Sequence, residues 1–167
     1  AAEAHNFRGC GGTVQFISGD RLDIKYAAKE VMRDAGAPRK SSQTKVKRIG
    51  RYLRRAPRFV LRYRWQKPSH VLVMGADASH AGCRRTRKST SGVLGRIGKH
   101  LVHASSSTQS TVRLSSGEAE YAALVRATAE GLYIRAVLRF MWREVRIALE
   151  SDSTAAIGTV RRLGPGK

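Results

Sequence analysis

The chain has 167 residues, 41% of them hydrophobic, with 32 Lys and Arg against 12 Asp and Glu, a formal net charge of +20 and a pI near 11.3. That length holds one full core, or one domain plus a helical appendage. No apolar run approaches the roughly 18 residues of a membrane-crossing helix; the most apolar stretch, Gly131 to Trp142, is cut by Arg135 and Arg139. Two cysteines, Cys10 and Cys83, make neither a disulfide framework nor a metal knuckle, so an intracellular, reducing compartment is expected. Nucleus, cytoplasm and organelle are not distinguished. A surface this basic attracts polyanions, and nucleic acid is the expected partner.

The composition divides near Trp65 to Ser69. Residues 1 to 67 carry 17 Lys/Arg and 5 Asp/Glu, a net +12; between Arg39 and Lys67 there are 12 basic residues and no acid. In this part Leu22 to Asp34 reads as a helix stopped by Gly36 and Pro38. A second helix is expected from Ser41 or Ser42 to Arg55, with Val46, Ile49 and Leu53 as its narrow apolar stripe. Lys45, Lys47, Arg48, Arg51, Arg54 and Arg55 surround that stripe. Arg58, Arg62 and Arg64 then alternate with Phe59, Tyr63 and Trp65, a pattern compatible with a strand that has one cationic face. Lys47, Arg48, Arg51, Arg54, Arg55 and Arg58 are the expected phosphate contacts here.

Residues 68 to 167 alternate differently. His70 to Gly75 is a short apolar strand, with Asp77 expected to begin a turn. Gly92 to Ile97 and His100 to Ser105 read as two strands joined tightly at Gly98-Lys99. Ser115 or Ser116 caps a long helix reaching about Phe140, with Glu118 in its first turn, where the helix dipole favours an acid. Val145 to Leu149 is another strand and Ser153 to Arg162 a shorter helix. The resulting order is strand, strand, strand, helix, strand, helix.

Three acids in this part sit where a metal site draws its ligands. Asp77 ends a strand, Glu118 or Glu120 opens a helix, and Asp152 follows another strand. Phosphodiester hydrolysis needs an activated water and a neutralised leaving oxygen, and two Mg²⁺ ions about 4 Å apart, held by carboxylates, provide both. Arg84, Arg85, Arg87 and Lys88 form a basic run beside Asp77, placed for phosphate contact. Ser105 to Ser110 is a polar strand-to-helix approach that reads equally as a sugar or phosphate contact and as a plain loop. The five histidines have no metal-like pairing, so zinc is not expected.

The wording of three phrases carries more than the acids alone. Asp77-Ala78-Ser79-His80-Ala81-Gly82-Cys83-Arg84-Arg85-Thr86-Arg87-Lys88-Ser89-Thr90-Ser91-Gly92, then Ser115-Ser116-Gly117-Glu118-Ala119-Glu120-Tyr121, then Ser151-Asp152-Ser153-Thr154-Ala155-Ala156 resemble, in order and wording, the ribonuclease H domain of copia-type retrotransposon Pol polyproteins. Leu22-Asp23-Ile24-Lys25-Tyr26-Ala27 and Lys47-Arg48-Ile49-Gly50-Arg51-Tyr52-Leu53 are similar to stretches near the end of that family's reverse transcriptase.

The resemblance implies an α/β, ribonuclease H-like mixed sheet over residues 68–167, preceded by a basic helical segment, 1–67, resembling the thumb and connection. It implies Asp77, Glu120 and Asp152 as catalytic Mg²⁺ ligands, with two ions in the active form and none in an inactive one. Glu120 is preferred over Glu118 because the family's functional glutamate directly precedes an aromatic residue, as Glu120 precedes Tyr121. The implied substrate is the RNA strand of an RNA–DNA hybrid. In the family a second Asp and a Trp follow the first acid, where this chain has Ser79 and His80. Its His-Ile-Asp-Val region, with a last strand, a final helix and a fourth metal-site residue, lies past Lys167, so a C-terminally truncated domain is expected. An alternative from the same residues is an inactive, exapted basic subunit holding RNA inside a ribonucleoprotein or other large assembly.

Overall fold

The computed structural model describes residues 2–162, and the chain divides into two compact units between Arg62 and Tyr63. The expected composition boundary lay at 67/68. Residues 63–67 fall in the second unit because they are tied to its strands. Tyr63 Oη donates to the Leu101 carbonyl at 2.9 Å, and the Gln66 amide brackets the turn at Gly98 through Ile97 O and Lys99 N, both at 2.8 Å.

The first unit is helical. Helix α1 (Ala2–Ile17), a single 3-10 turn (Leu22–Ile24), α2 (Lys25–Met32) and α3 (Lys40–Arg55) bury Phe7, Val14, Ile24, Ala28, Val31 and Ile49 in one small core. Helix α1 was not expected, because Gly9, Gly11 and Gly12 each cost about 1 kcal/mol of helix propensity. Tertiary burial of Phe7, Gly11 and Val14, at helical spacing, overrides that cost. The expected helix at Leu22 to Asp34 is shorter: it opens as a tight turn and ends at Met32, though Ile24, Ala28 and Val31 do form its buried face. Helix α3 begins where the backbone N–H of Arg39 donates to the buried Ser42 hydroxyl at 3.1 Å.

Residues 56–70 form neither helix nor strand, so the strand pattern at Arg58 to Trp65 is not realised as a strand. Its aromatics stay largely in solvent, Trp65 at 86% exposure.

The second unit is a four-stranded mixed sheet in the order β3-β2-β1-β4, built from β1 (Val71–Ser79), β2 (Thr90–Ile97), β3 (His100–Thr108) and β4 (Arg146–Glu150). The β1/β2 and β2/β3 pairs are antiparallel, and β4 lies parallel to β1. Helix α4 (Ser116–Phe140) carries the chain from β3 across to β4, and α5 (Thr154–Arg161) follows. Both the element order and the mixed sheet match the expectation. The β2–β3 turn needs Gly98, whose φ of +59° is left-handed.

Leu72, Met74 and Ala76 alternate inward along β1 and meet Val93, Ala123, Leu124, Ala127 and Ala156. Burying each large apolar side chain contributes about 1.5–3 kcal/mol. Helix α4 approaches closely because its buried row, Ala119, Ala123, Ala127 and Gly131, repeats a small residue every fourth position. A Cβ at Gly131 would stand 2.9 Å from Met74 Cγ.

One local expectation is corrected. Asp77 does not begin a turn, because β1 continues through it to Ser79, where Asp77 pairs with Gly92 and Ala78 with Ser91. The long β2 partner, starting at Thr90, supplies the ladder that keeps Asp77 in the strand.

Candidate metal centre

Strand β4 stops at Glu150, opposite Gly75, so the end of β1 from Ala76 to Ser79 runs on beyond it. Three acids meet near that overhang. Asp77 stands on the central strand, Asp152 in the turn directly after β4, and Glu120 in the second turn of α4. One carboxylate oxygen from each lies within 4.8 Å of the others. Asp77 and Asp152 are exposed and Glu120 is half-buried. An open groove along β1 and β2 starts at Asp77 and Asp152 and is bordered by Gly75, Gly92 and Leu94.

The surroundings of Glu120 differ from those of an ordinary surface carboxylate. Burial pushes the Glu120 carboxyl up, the backbone N–H of Ala78 opposes that, and the charges of Asp77 and Asp152 push it further up. Its Oε2 is buried without a hydrogen-bond partner. A bare, desolvated carboxylate oxygen beside two more carboxylates is unfavourable unless a proton or a cation neutralises it. An all-oxygen donor set fits a hard divalent ion such as Mg²⁺, Mn²⁺ or Ca²⁺ rather than zinc. The residues present fit such a group.

Glu118, the competing acid, is used up by the helix start. Its Oε2 accepts from Leu114 N at 2.9 Å, its Oε1 from Arg113 at 3.0 Å, and its own N–H donates to the Ser115 hydroxyl at 3.1 Å. These contacts, the Leu114 N–H first and Arg113 next, hold its carboxyl below the usual range.

The basic residues singled out from the sequence fall in two places. Arg84, Arg85 and Arg87 are exposed and Lys88 half-buried in the loop between β1 and β2, which leaves β1 two residues after Asp77. That loop is pinned by Ala81 N donating to the buried Ser89 hydroxyl at 3.0 Å and by Arg87 N donating to Cys83 O at 2.7 Å. Lys47, Arg48, Arg51, Arg54, Arg55 and Arg58 all lie exposed in the first unit, with Val46, Ile49 and Leu53 turned to its core. Among the described residues neither cysteine forms a disulfide; Cys10 is exposed and Cys83 buried.

Two polar groups were missed by sequence reading. Gln109, directly after β3, is buried and hydrogen-bonded to Ser91 and Ala119, an outcome that neither the contact nor the loop reading of Ser105 to Ser110 contains. Glu130 accepts from His103 Nε2 at 2.9 Å, from the Ser105 hydroxyl at 2.7 Å and from Arg126 Nε at 2.8 Å. The Arg126–Glu130 spacing of four on a helix was a legible signal; the partners on β3 were not.

No protein-family model matches the chain. It is 32% identical over 125 residues to an uncharacterized mitochondrial protein of Arabidopsis thaliana, a match covering 75% of this chain and 52% of that protein. It is 31% identical over 134 residues to the retrovirus-related Pol polyprotein from transposon RE1 of Arabidopsis thaliana, covering 79% of this chain and 9% of the polyprotein. It is 34% identical over 114 residues to the secreted RxLR effector protein 161 of Plasmopara viticola, covering 68% of this chain and 80% of that protein. Among solved structures, LC11-RNase H1 isolated from compost by a metagenomic approach aligns at 20% identity, 55% coverage of this chain and 61% of that one, with a TM-score of 0.42. The chain thus spans about half the length of the first of these relatives and under a tenth of the polyprotein. On these sequence identities the chain belongs to the copia-type retrotransposon Pol polyprotein family.

Proposed function

We propose that the chain hydrolyses the RNA strand of an RNA–DNA hybrid, with Asp77, Glu120 and Asp152 holding Mg²⁺ and acting as its catalytic residues. The observation that carries this reading is the convergence of three carboxylates from β1, α4 and the turn after β4, one of them with a buried, partnerless oxygen. Bound Mg²⁺ supplies charge neutralisation at the phosphoryl oxygens and an acidified water. The protein's own part is positioning. Asp77 and Asp152 border the groove, and Glu120 is oriented by the Ala78 N–H.

Arg84, Arg85, Arg87 and Lys88 bring positive charge to the strand end from which Asp77 projects, where a phosphate backbone has to pass. Residues 1–67 are read as the end of a reverse transcriptase, whose Lys47, Arg48, Arg51, Arg54, Arg55 and Arg58 neutralise phosphates without reading sequence. Among the described residues no helix is long and apolar enough to cross a membrane. Two cysteines that form no disulfide among the described residues suit an intracellular, reducing compartment.

A second reading has its own support. Ser79 and His80 stand where the resemblance calls for an acid and a tryptophan, and the charge of +20 exceeds what solubility needs. On that reading the chain holds RNA in a larger assembly without turnover. A hybrid-cleavage assay in Mg²⁺ separates the two. Cleavage that Asp77→Asn lowers by more than about a hundredfold, beyond the range of outer-shell effects, supports the hydrolase. Tight, salt-sensitive RNA binding with no cleavage supports the structural role and overturns the hydrolase.

A further inference from the structure

Gln109 is a buried amide that joins β2, the neighbour of the strand carrying Asp77, to the helix carrying Glu120. It follows β3 directly and is 8% exposed. Its backbone N–H donates to Ser89 O at 2.9 Å, which fixes it against the start of β2. Its Nε2 donates to two acceptors, the Ser91 hydroxyl at 2.9 Å and the Ala119 carbonyl at 2.9 Å. Its Oε1 accepts from Arg113 Nε at 3.3 Å, and Arg113 in turn holds Glu118.

Both acceptors are one step from the acids. Ser91 pairs across the sheet with Ala78, the neighbour of Asp77, and the Ala78 N–H is the group that meets Glu120. Ala119 immediately precedes Glu120 on α4. The two N–H bonds of one planar amide therefore set how far the second turn of the helix stands from the strand. A carboxylate in its place would present no donor to the Ala119 carbonyl and would bury a charge. A methionine would fill the volume and leave both acceptors unserved.

We infer that Gln109 is a positioning residue for the acid cluster, fixing the separation of Asp77 and Glu120 and through it the affinity for a divalent cation. It touches neither cation nor substrate. The inference rests on the cation-binding reading proposed above, and outer-shell partners of this kind change metal affinity roughly 10–100-fold.

The test is Mn²⁺ binding to the whole chain, read from the electron paramagnetic resonance signal of free Mn²⁺, beside steady-state hybrid cleavage. Gln109→Met is expected to weaken Mn²⁺ about tenfold and to lower kcat, with KM for the hybrid unchanged because the arginines that meet phosphate are untouched. Ser91→Ala, which removes one of the two acceptors, is expected to weaken Mn²⁺ by a smaller factor. It carries the test if Gln109→Met does not fold. Leu138→Ala, packed against the core at the far end of α4, lowers stability and is expected to leave Mn²⁺ affinity at the wild-type value. Wild-type affinity in Gln109→Met, or in Ser91→Ala where the first variant fails to fold, overturns the inference alone. Equal weakening in Leu138→Ala also overturns it, since the effect would then be one of stability. A wild-type chain that binds no Mn²⁺ overturns the metal centre and this inference together.

Discussion

Helix α4 presents two inward acids, Glu120 and Glu130, with opposite surroundings. Glu130 is met by donors from His103, Ser105 and Arg126. Burial opposes its charge, but the hydrogen bonds from Ser105 and His103 and the Arg126 guanidinium outweigh it, so its carboxyl lies below the usual range. Glu120 is met by two further carboxylates, has one buried oxygen without a partner, and lies above that range. The same residue type on the same helix is structural where its charge is answered and a candidate functional group where it is left unanswered. Active sites retain such local conflicts because a ligand resolves them.

That contrast breaks most visibly at Glu130. Glu130→Ala strands the His103, Ser105 and Arg126 donors and is expected to cost about 1–3 kcal/mol, measured by urea unfolding at neutral pH. Because the folded-state carboxyl of Glu130 is depressed, its contribution is present above the unfolded carboxylate value and is lost as pH falls through the folded one. The variant should therefore lack part of the wild type's loss of stability in acid. A neutral-pH stability equal to wild type would show that the cluster is incidental.

Glu120→Gln is expected to have a smaller effect of the opposite sign. A raised carboxyl favours the folded state at low pH, and that advantage disappears as pH rises through the folded value, so at neutral pH the ionised Glu120 is a net cost. In chelator the variant should melt above the wild type. Added Mg²⁺ should raise the wild-type melting temperature and leave the variant's unchanged, because only the native set binds the ion. A variant that melts lower in chelator would mean that Glu120 is already satisfied within the protein.

Much of the second unit was legible because its signals are local. The Ser115 cap, the Glu118 first turn and the Gly98-Lys99 turn each act over a few residues, and α4 and β3 begin within a residue or two of where those signals point. Asp77, Glu120 and Asp152 were readable as a set because metal chemistry requires acids at element ends and the phrases around them are distinctive. What stayed hidden was decided at a distance. Glu130 meets His103 and Ser105 across separations of 27 and 25 residues. Burial of Gln109 depends on how α4 lies on β2, which no local pattern records. Helix α1 was obscured by glycines that its packing tolerates, and the aromatic alternation at Arg58 to Trp65 imitated a strand that finds no sheet to join.

The most direct measurement is the anomalous X-ray signal of Mn²⁺ soaked into crystals of the chain. The account predicts a peak bonded to oxygens of Asp77, Glu120 and Asp152 together, with the bare Glu120 oxygen among its ligands. A peak lodged elsewhere, or three carboxylates that remain apart and empty at saturating Mn²⁺, would contradict it.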